Sequence, residues 1–255
     1  MSSSALSPNE TQPHLLASLG VVLVAAGRGE RLGADIPKAF YELHGRALLE
    51  FSTAVITSLP HPGHLVIVAP ESHAAEALSI IDAVLPEGSS WEVTVVPGGR
   101  ERHESVRFGL AALVESVDTV LVHDAARPFA SAALFERVIA EVRDTGCGVI
   151  PALPVFDTLK RVDAGGVVHE TVDRSSLVAV QTPQGFPREL LESAHATAQL
   201  HGALPTDDAE LVQRDGGTVR TVPGEMQAHK LTSPADLPVL EHFLAANAVG
   251  LGSDA

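Results

Sequence analysis

The chain has 255 residues, 45% of them hydrophobic and 19% charged, with a single cysteine. A chain of this size buries roughly three quarters of its unfolded surface, so it needs no disulfide or metal staple, and Cys147 alone cannot make an internal disulfide. The formal net charge of −15 argues against nucleic acid or anionic membrane as partners, since both require a basic footprint.

Residues 1–17, at the start of "MSSSALSPNETQPHLLASLG", are polar and lack the basic n-region and cleavable apolar core of a signal peptide. A disordered tail is expected there. No apolar run approaches the roughly 20 residues needed to span a bilayer, so a soluble, cytoplasmic protein is expected. "GVVLVAA" (20–26) is the first strand-like run, and the glycine-rich turn "GRGERLGADIPK" (27–38) follows it. Apolar runs recur at 64–70, 91–97, 119–125 and 148–154, with helical spacing at 46–58, 71–84, 102–116 and 131–145 between them. In 102–116, Val106, Leu110, Leu113 and Val114 share a face, while Arg107 and Glu115 lie elsewhere. Continuous apolar strands alternating with such helices predict an α/β fold. It is a Rossmann-like, three-layer sandwich with helices on both sides of a mostly parallel sheet. Cys147 reads as a small buried apolar residue.

The alternation breaks at "FDTLKRVDAGGVVHETVDRSSL" (156–177), where two short strand-like pieces flank "DAGG", a hairpin signal. This polar arm, about 154–177, has little core to join, so it either packs on a second subunit or forms a surface flap. Regular structure returns with a strand at 178–183, helices at 187–201 and 206–214, and a strand at 217–224. A last helix starts at Ser233, with Pro234 in its first position and Asp236 placed for a capping box. No linker divides the chain, so one domain is expected over 18–248, with a short tail at 249–255.

Three basic residues in the loop, Arg28, Arg31 and Lys38, stand out in so acidic a chain. A Walker A loop is excluded, because no Gly-Lys pair is followed by Ser or Thr. The dinucleotide fingerprint fails at Leu32, its third glycine position, and lacks the acidic ribose-binding residue at a following strand end. Gly27 and Gly29 can bring backbone N–H groups close to a phosphate, Arg31 offers a two-pronged fork, and Pro37 fixes the approach of Lys38. Cations beside an N–H cradle suit attack on an α-phosphate with pyrophosphate leaving, a reaction in which magnesium normally bridges the phosphates. "VLVHDAARP" puts Asp124 at the end of a central strand, as a metal or ligand carboxylate or else as a turn or cap residue. His123 beside it reads as structural.

The glycine-rich loop, "PGGRERHESV" (97–106), "VLVHDAARPF" (120–129), "PVFDTLKRV" (154–162), "TVDRSSLVAVQTPQGFPRELL" (171–191), "TDDAELV" (206–212) and "HKLTSPADL" (229–237) occur in that order. Together they resemble the 2-C-methyl-D-erythritol 4-phosphate cytidylyltransferases of the non-mevalonate isoprenoid pathway, over about residues 20–245. The resemblance implies a nucleotidyltransferase fold and transfer of CMP from CTP to methylerythritol phosphate, with Mg²⁺. It implies that Ala25, Ala26, Gly27 and Gly29 wrap the CTP phosphates, that Gly99 and Ser105 hold the cytosine, and that Asp124 contacts the ribose side and the metal. Arg31 and Lys38 match the transition-state stabilisers, while Arg174 and Lys230 match the residues that place the substrate phosphate. Arg127, Thr158, Thr182 and Thr206 complete the sugar-phosphate side, Thr158 and Thr206 having local capping as the alternative. The resemblance also implies a homodimer in which the arm brings Thr158 and Arg174 to the neighbouring site.

Three places depart from the family pattern: Glu30 and Arg100, where basic and acidic residues respectively are common, and the "AH" (228–229) of the "AHK" that ends in Lys230. A sister cytidylyltransferase for another polyol phosphate, such as ribitol 5-phosphate, would share the loop and Asp124. A non-catalytic nucleotide-binding regulator would have no need of the second substrate's cations. The chain ends near the last helix, so a single activity is expected.

Overall fold

An unbroken apolar run is satisfied by a strand covered on both faces, and β1 (Ser18–Val24) is such a strand. Val21 and Leu23 point into one core layer and Val22 into the other, the period-two alternation of extended chain. The computed structural model describes residues 18–27, 29, 32–33, 36–201 and 205–250.

After the glycine-rich loop come a 3₁₀ turn at Lys38–Phe40 and a minimal hairpin of β2 (Glu42–Leu43) and β3 (Arg46–Ala47). His44 and Gly45 close the hairpin at positive φ, 51° and 77°. The first helix therefore starts later than its apolar spacing predicts, and α1 is Leu48–Thr57. Strict alternation follows: β4 (Gly63–Ala69), α2 (Ala74–Val84), β5 (Trp91–Pro97), α3 (Arg102–Ala112), β6 (Val117–Asp124), α4 (Ala132–Thr145) and β7 (Gly148–Pro154). Cys147, just before β7, is half-buried rather than fully buried.

β8 (Leu159–Val162) and β9 (Val168–Val172) pair only with each other, as an antiparallel ribbon. Its turn is tied by Asp163, whose Oδ1 accepts from the N–H groups of Gly165 (2.9 Å) and Val167 (3.0 Å). Then come β10 (Val178–Val180), β11 (Gln184–Pro187), α5 (Arg188–His201), α6 (Asp208–Arg214), β12 (Val219–Pro223) and α7 (Leu237–Gly250). The expected capping box lies just before α7, where Asp236 Oδ2 accepts from the Ser233 N–H at 2.7 Å.

In the eight-stranded sheet, β5, β4, β1 and β6 are parallel neighbours, and β11 lies antiparallel between β6 and β7. Ala152 of β7 pairs with Val180 of β10 and with Pro223 of β12, so those two strands take opposite edges of β7. Only β10 and β11 oppose the rest, and the sheet is mostly parallel. β11 corrects the predicted continuous strand at 178–183, which ends at Val180. Its glycine lets α4 approach closely, because a Cβ on Gly185 would lie 2.5 Å from Val138 Cγ1.

One face of the sheet buries α1, α2 and α4 against Leu23, Leu65 and Ile67, and the other buries α3, α5 and α6 against Val22, Val66 and Phe186. This is the three-layer sandwich. No helix among the described residues is long and apolar enough to cross a membrane.

Candidate active site

A cleft of about 740 Å³ opens over the C-terminal ends of β1, β5 and β6, where open α/β sheets bind ligands. Three strand-end loops line it: Ala25, Ala26, Gly27 and Gly29 after β1, Gly99 to Arg102 after β5, and Asp124 with Ala126 after β6. Backbone bonds hold these loops to the sheet. The Ala25 N–H donates to the Val68 carbonyl (2.8 Å), Gly98 to Ala69 (2.9 Å) and Ala125 to Val24 (3.1 Å). Gly29 has φ of 74°, and a Cβ there would meet Lys38 Cγ at 3.1 Å. Glycine makes the turn and leaves room for the lysine.

Lys38 spans the cleft, its Nζ donating to the carbonyls of Thr232 (2.9 Å) and Leu231 (3.3 Å). The same segment carries Lys230, whose Nζ donates to Asp124 Oδ2 at 2.6 Å. The other Asp124 oxygen, Oδ1, accepts from Arg102 Nε at 3.2 Å. Burial alone would raise the Asp124 carboxyl; Arg102 and Lys230 outweigh it and hold the group well below the usual carboxylate range. Lys38, Arg100, Arg102 and Lys230 against Glu101 and Asp124 leave this lining net positive in a chain of net charge −15.

A neutral relay fixes the end of β6. The Asp124 N–H donates to Thr182 Oγ1 at 3.1 Å, and that hydroxyl meets His123 Nδ1 at 3.1 Å. His123 Nε2 lies 3.3 Å from the Arg127 carbonyl, which can only accept, so the ring proton sits on Nε2. Burial pushes the His123 pKa down to about 4, and the ring is neutral at pH 7. His123 is structural, and Thr182 acts on the backbone of Asp124.

The loop after β5 is equally self-contained. The Gly99 N–H donates to Ser105 Oγ (3.0 Å), which donates to the Glu101 carbonyl (3.2 Å). Glu104 Oε2 accepts from the N–H groups of Arg100 (2.8 Å) and Glu101 (3.3 Å), one half of a capping box at the head of α3. Gly99 and Ser105 both line the cleft, yet the Ser105 hydroxyl shapes this loop.

The remaining predicted residues are placed elsewhere. Arg127 spends Nη1 on the Ala228 carbonyl (2.7 Å) and Nη2 on the Val180 carbonyl (3.4 Å), bracing the wall beside Asp124. Thr206 uses its N–H (2.6 Å) and hydroxyl (2.9 Å) on Glu210 Oε2, the local capping alternative. Thr158 and Arg174 belong to the arm, and Arg174 lines a second hollow of about 730 Å³ with Phe156, Val178 and Pro223. Arg31 lies outside the described residues. Sequence reasoning does not single out Arg102, although it does single out its motif; the signal is an arginine three residues after Gly99.

A model of the family described as IspD: 2-C-methyl-D-erythritol 4-phosphate cytidylyltransferase matches residues 19–246. The chain belongs to this family. Among its IspD relatives is a bifunctional enzyme IspD/IspF of Clavibacter michiganensis, 53% identical over 92% of this chain, of whose length the chain spans 56%. The 2-C-methyl-D-erythritol 4-phosphate cytidylyltransferase of Saccharopolyspora erythraea is 44% identical over 89% of this chain and 100% of its own. The crystal structure of the Thermus thermophilus cytidylyltransferase superposes with a TM-score of 0.71 at 37% identity, covering 90% of this chain and 99% of that one. Two departures from the IspD pattern have plain placements. Arg100 engages through its backbone N–H, and Ala228 is buried with its carbonyl on Arg127.

Proposed function

We infer that this chain transfers CMP from CTP to 2-C-methyl-D-erythritol 4-phosphate, giving 4-diphosphocytidyl-2-C-methyl-D-erythritol and pyrophosphate. The observation that carries the reading is the meeting of Lys38, Lys230, Arg102 and ionised Asp124 around one cleft in a chain of this family.

A phosphate oxygen of the acceptor attacks the α-phosphorus of CTP. The new P–O bond forms as the bond to the β-phosphate bridging oxygen breaks, and its electron pair leaves on pyrophosphate. The attacking group is already an anion, so no general base is required; positioning and charge stabilisation carry the step. Lys38, with Arg31, meets the charge that grows on the phosphates, and Lys230 holds the acceptor phosphate. Asp124 would hold a magnesium ion, which would supply charge neutralisation at the phosphates. Among the described residues no three Asp, Glu, His or Cys side chains gather as a metal cluster. Asp124 fits an ion held by one carboxylate plus substrate phosphates, since each of its oxygens keeps a lone pair beyond its present partner.

The arm supports a homodimer. Phe156, Val162, Val167 and Val168 are 76%, 52%, 60% and 56% exposed, and an isolated two-stranded ribbon is marginal in water. A second subunit would cover them and receive Thr158 and Arg174 beside its own cleft.

Pyrophosphate release with CTP, magnesium and each of two polyol phosphates tests the activity. Turnover is expected with methylerythritol phosphate; faster turnover with ribitol 5-phosphate, or none with either, overturns it.

A further inference from the structure

The charged network of the cleft continues into the interior behind Arg102. Its Nη1 donates to Asp208 Oδ2 at 2.7 Å, closer than the 3.2 Å between Nε and Asp124 Oδ1. Asp208 is the first residue of α6 and is 0% exposed. Its Oδ1 accepts from His195 Nε2 of α5 at 3.2 Å, and His195 is 4% exposed.

A buried carboxylate is costly unless its charge and lone pairs are met. Here burial would raise the Asp208 carboxyl, and Arg102 with His195 outweighs it and holds the group below its usual range. Packing does not call for this ion, since Ala209, Leu211 and Val212 already seat α6 in the core. What the ion adds is orientation. A guanidinium is planar, so carboxylates at Nε and Nη1 fix its plane. Pulled toward Asp208, Arg102 gives Asp124 one N–H instead of a two-pronged fork.

We propose that Asp208, backed by His195, is a positioning residue that holds Arg102 off a full pairing with Asp124, keeping the Asp124 carboxylate available to the nucleotide. Without the Asp208 charge, Arg102 swings onto Asp124 and occupies both its oxygens. The loss falls on CTP, which Asp124 serves, while Oδ2 has a second lone pair with which to keep Lys230 in place for the acceptor. This rests on the reading of the cleft as the CTP site.

Asp208→Asn keeps the side-chain shape and removes the charge. In the full chain, kcat/KM for CTP and calorimetric affinity for magnesium-bound CTP are expected to fall about tenfold, with KM for methylerythritol phosphate within about twofold. His195→Leu should move the same quantities in the same direction by less. Equal losses for both substrates, or none, overturn the positioning role. If circular dichroism shows Asp208→Asn unfolded, His195→Leu, which keeps Arg102 and removes the support behind Asp208, carries the same selective loss for CTP and the same refutation. A wild-type chain that gives no heat with magnesium-bound CTP overturns the CTP reading and this proposal together. Wild-type binding with unaltered variants overturns the positioning role alone.

Discussion

Lys38 holds its place through two carbonyls at the cleft rim. Removing its ammonium should cost little stability and much rate. Lys38→Ala is expected to lower kcat by about 10²–10³, the usual loss for one charge-stabilising donor, with an unchanged melting temperature. Single-turnover kinetics and a thermal melt check both halves. His123 makes the opposite kind of prediction. Its pKa is about 4 in the folded chain against the 6.5 of an unperturbed imidazole. As pH falls below 6.5 the unfolded chain takes up a proton there and the folded chain does not. The contribution is therefore complete above 6.5 and is lost by about pH 4, a change of roughly 3 kcal/mol. Urea unfolding between pH 7 and 4 should show this slope, and His123→Gln should flatten it. The carboxyl of Asp124 adds to acid destabilisation only below that window, since Arg102 and Lys230 hold its pKa under the ordinary 3.8 of an aspartate.

The arm, built from β8 and β9, and the cleft are separate elements, and the proposed dimer joins one subunit's arm to the other's cleft. Arg174→Ala and Lys38→Ala should each be inactive alone. Mixed, they should recover about a quarter of wild-type turnover, because half the dimers are hybrid and each hybrid has one intact site. No recovery after subunit exchange would place Arg174 with its own chain's cleft. Elements also separate what is legible in the sequence from what is not. The parallel core is legible because strands covered on both faces, such as "LVIVA" (65–69), are apolar at every position. Lys38 and Asp124 are legible because a glycine turn and a strand end mark them. β11 is not, because "QGFP" holds a glycine and a proline and is strand only by wedging between β6 and β7. Nor is the Arg102–Asp208–His195 chain, whose first pair is separated by 106 residues and forms only when α3 and α6 meet the same sheet face. Nor are the loop bonds of Ser105 legible, because a hydroxyl that can greet a ligand can equally tie its own loop.

At the scale of the molecule, the arm's apolar side chains set the expectation for assembly. Phe156→Asp should shift the chain to monomers in sedimentation and abolish turnover together, since Arg174 then has no cleft to reach. A monomer with full activity would dissociate the two. The acidic exterior and basic cleft also divide labour. A chain of net charge −15 keeps polyanions at a distance except where the basic lining of the cleft meets solvent.

The closed circuit of Glu101, Glu104 and Ser105 at the head of α3 has a kinetic corollary. A mouth that has already satisfied its own amides does not reshape itself around each visitor. Under the proposed function, a pyrimidine finds a finished mould, and an ill-fitting ring is turned away at the threshold instead of being trapped and later rejected.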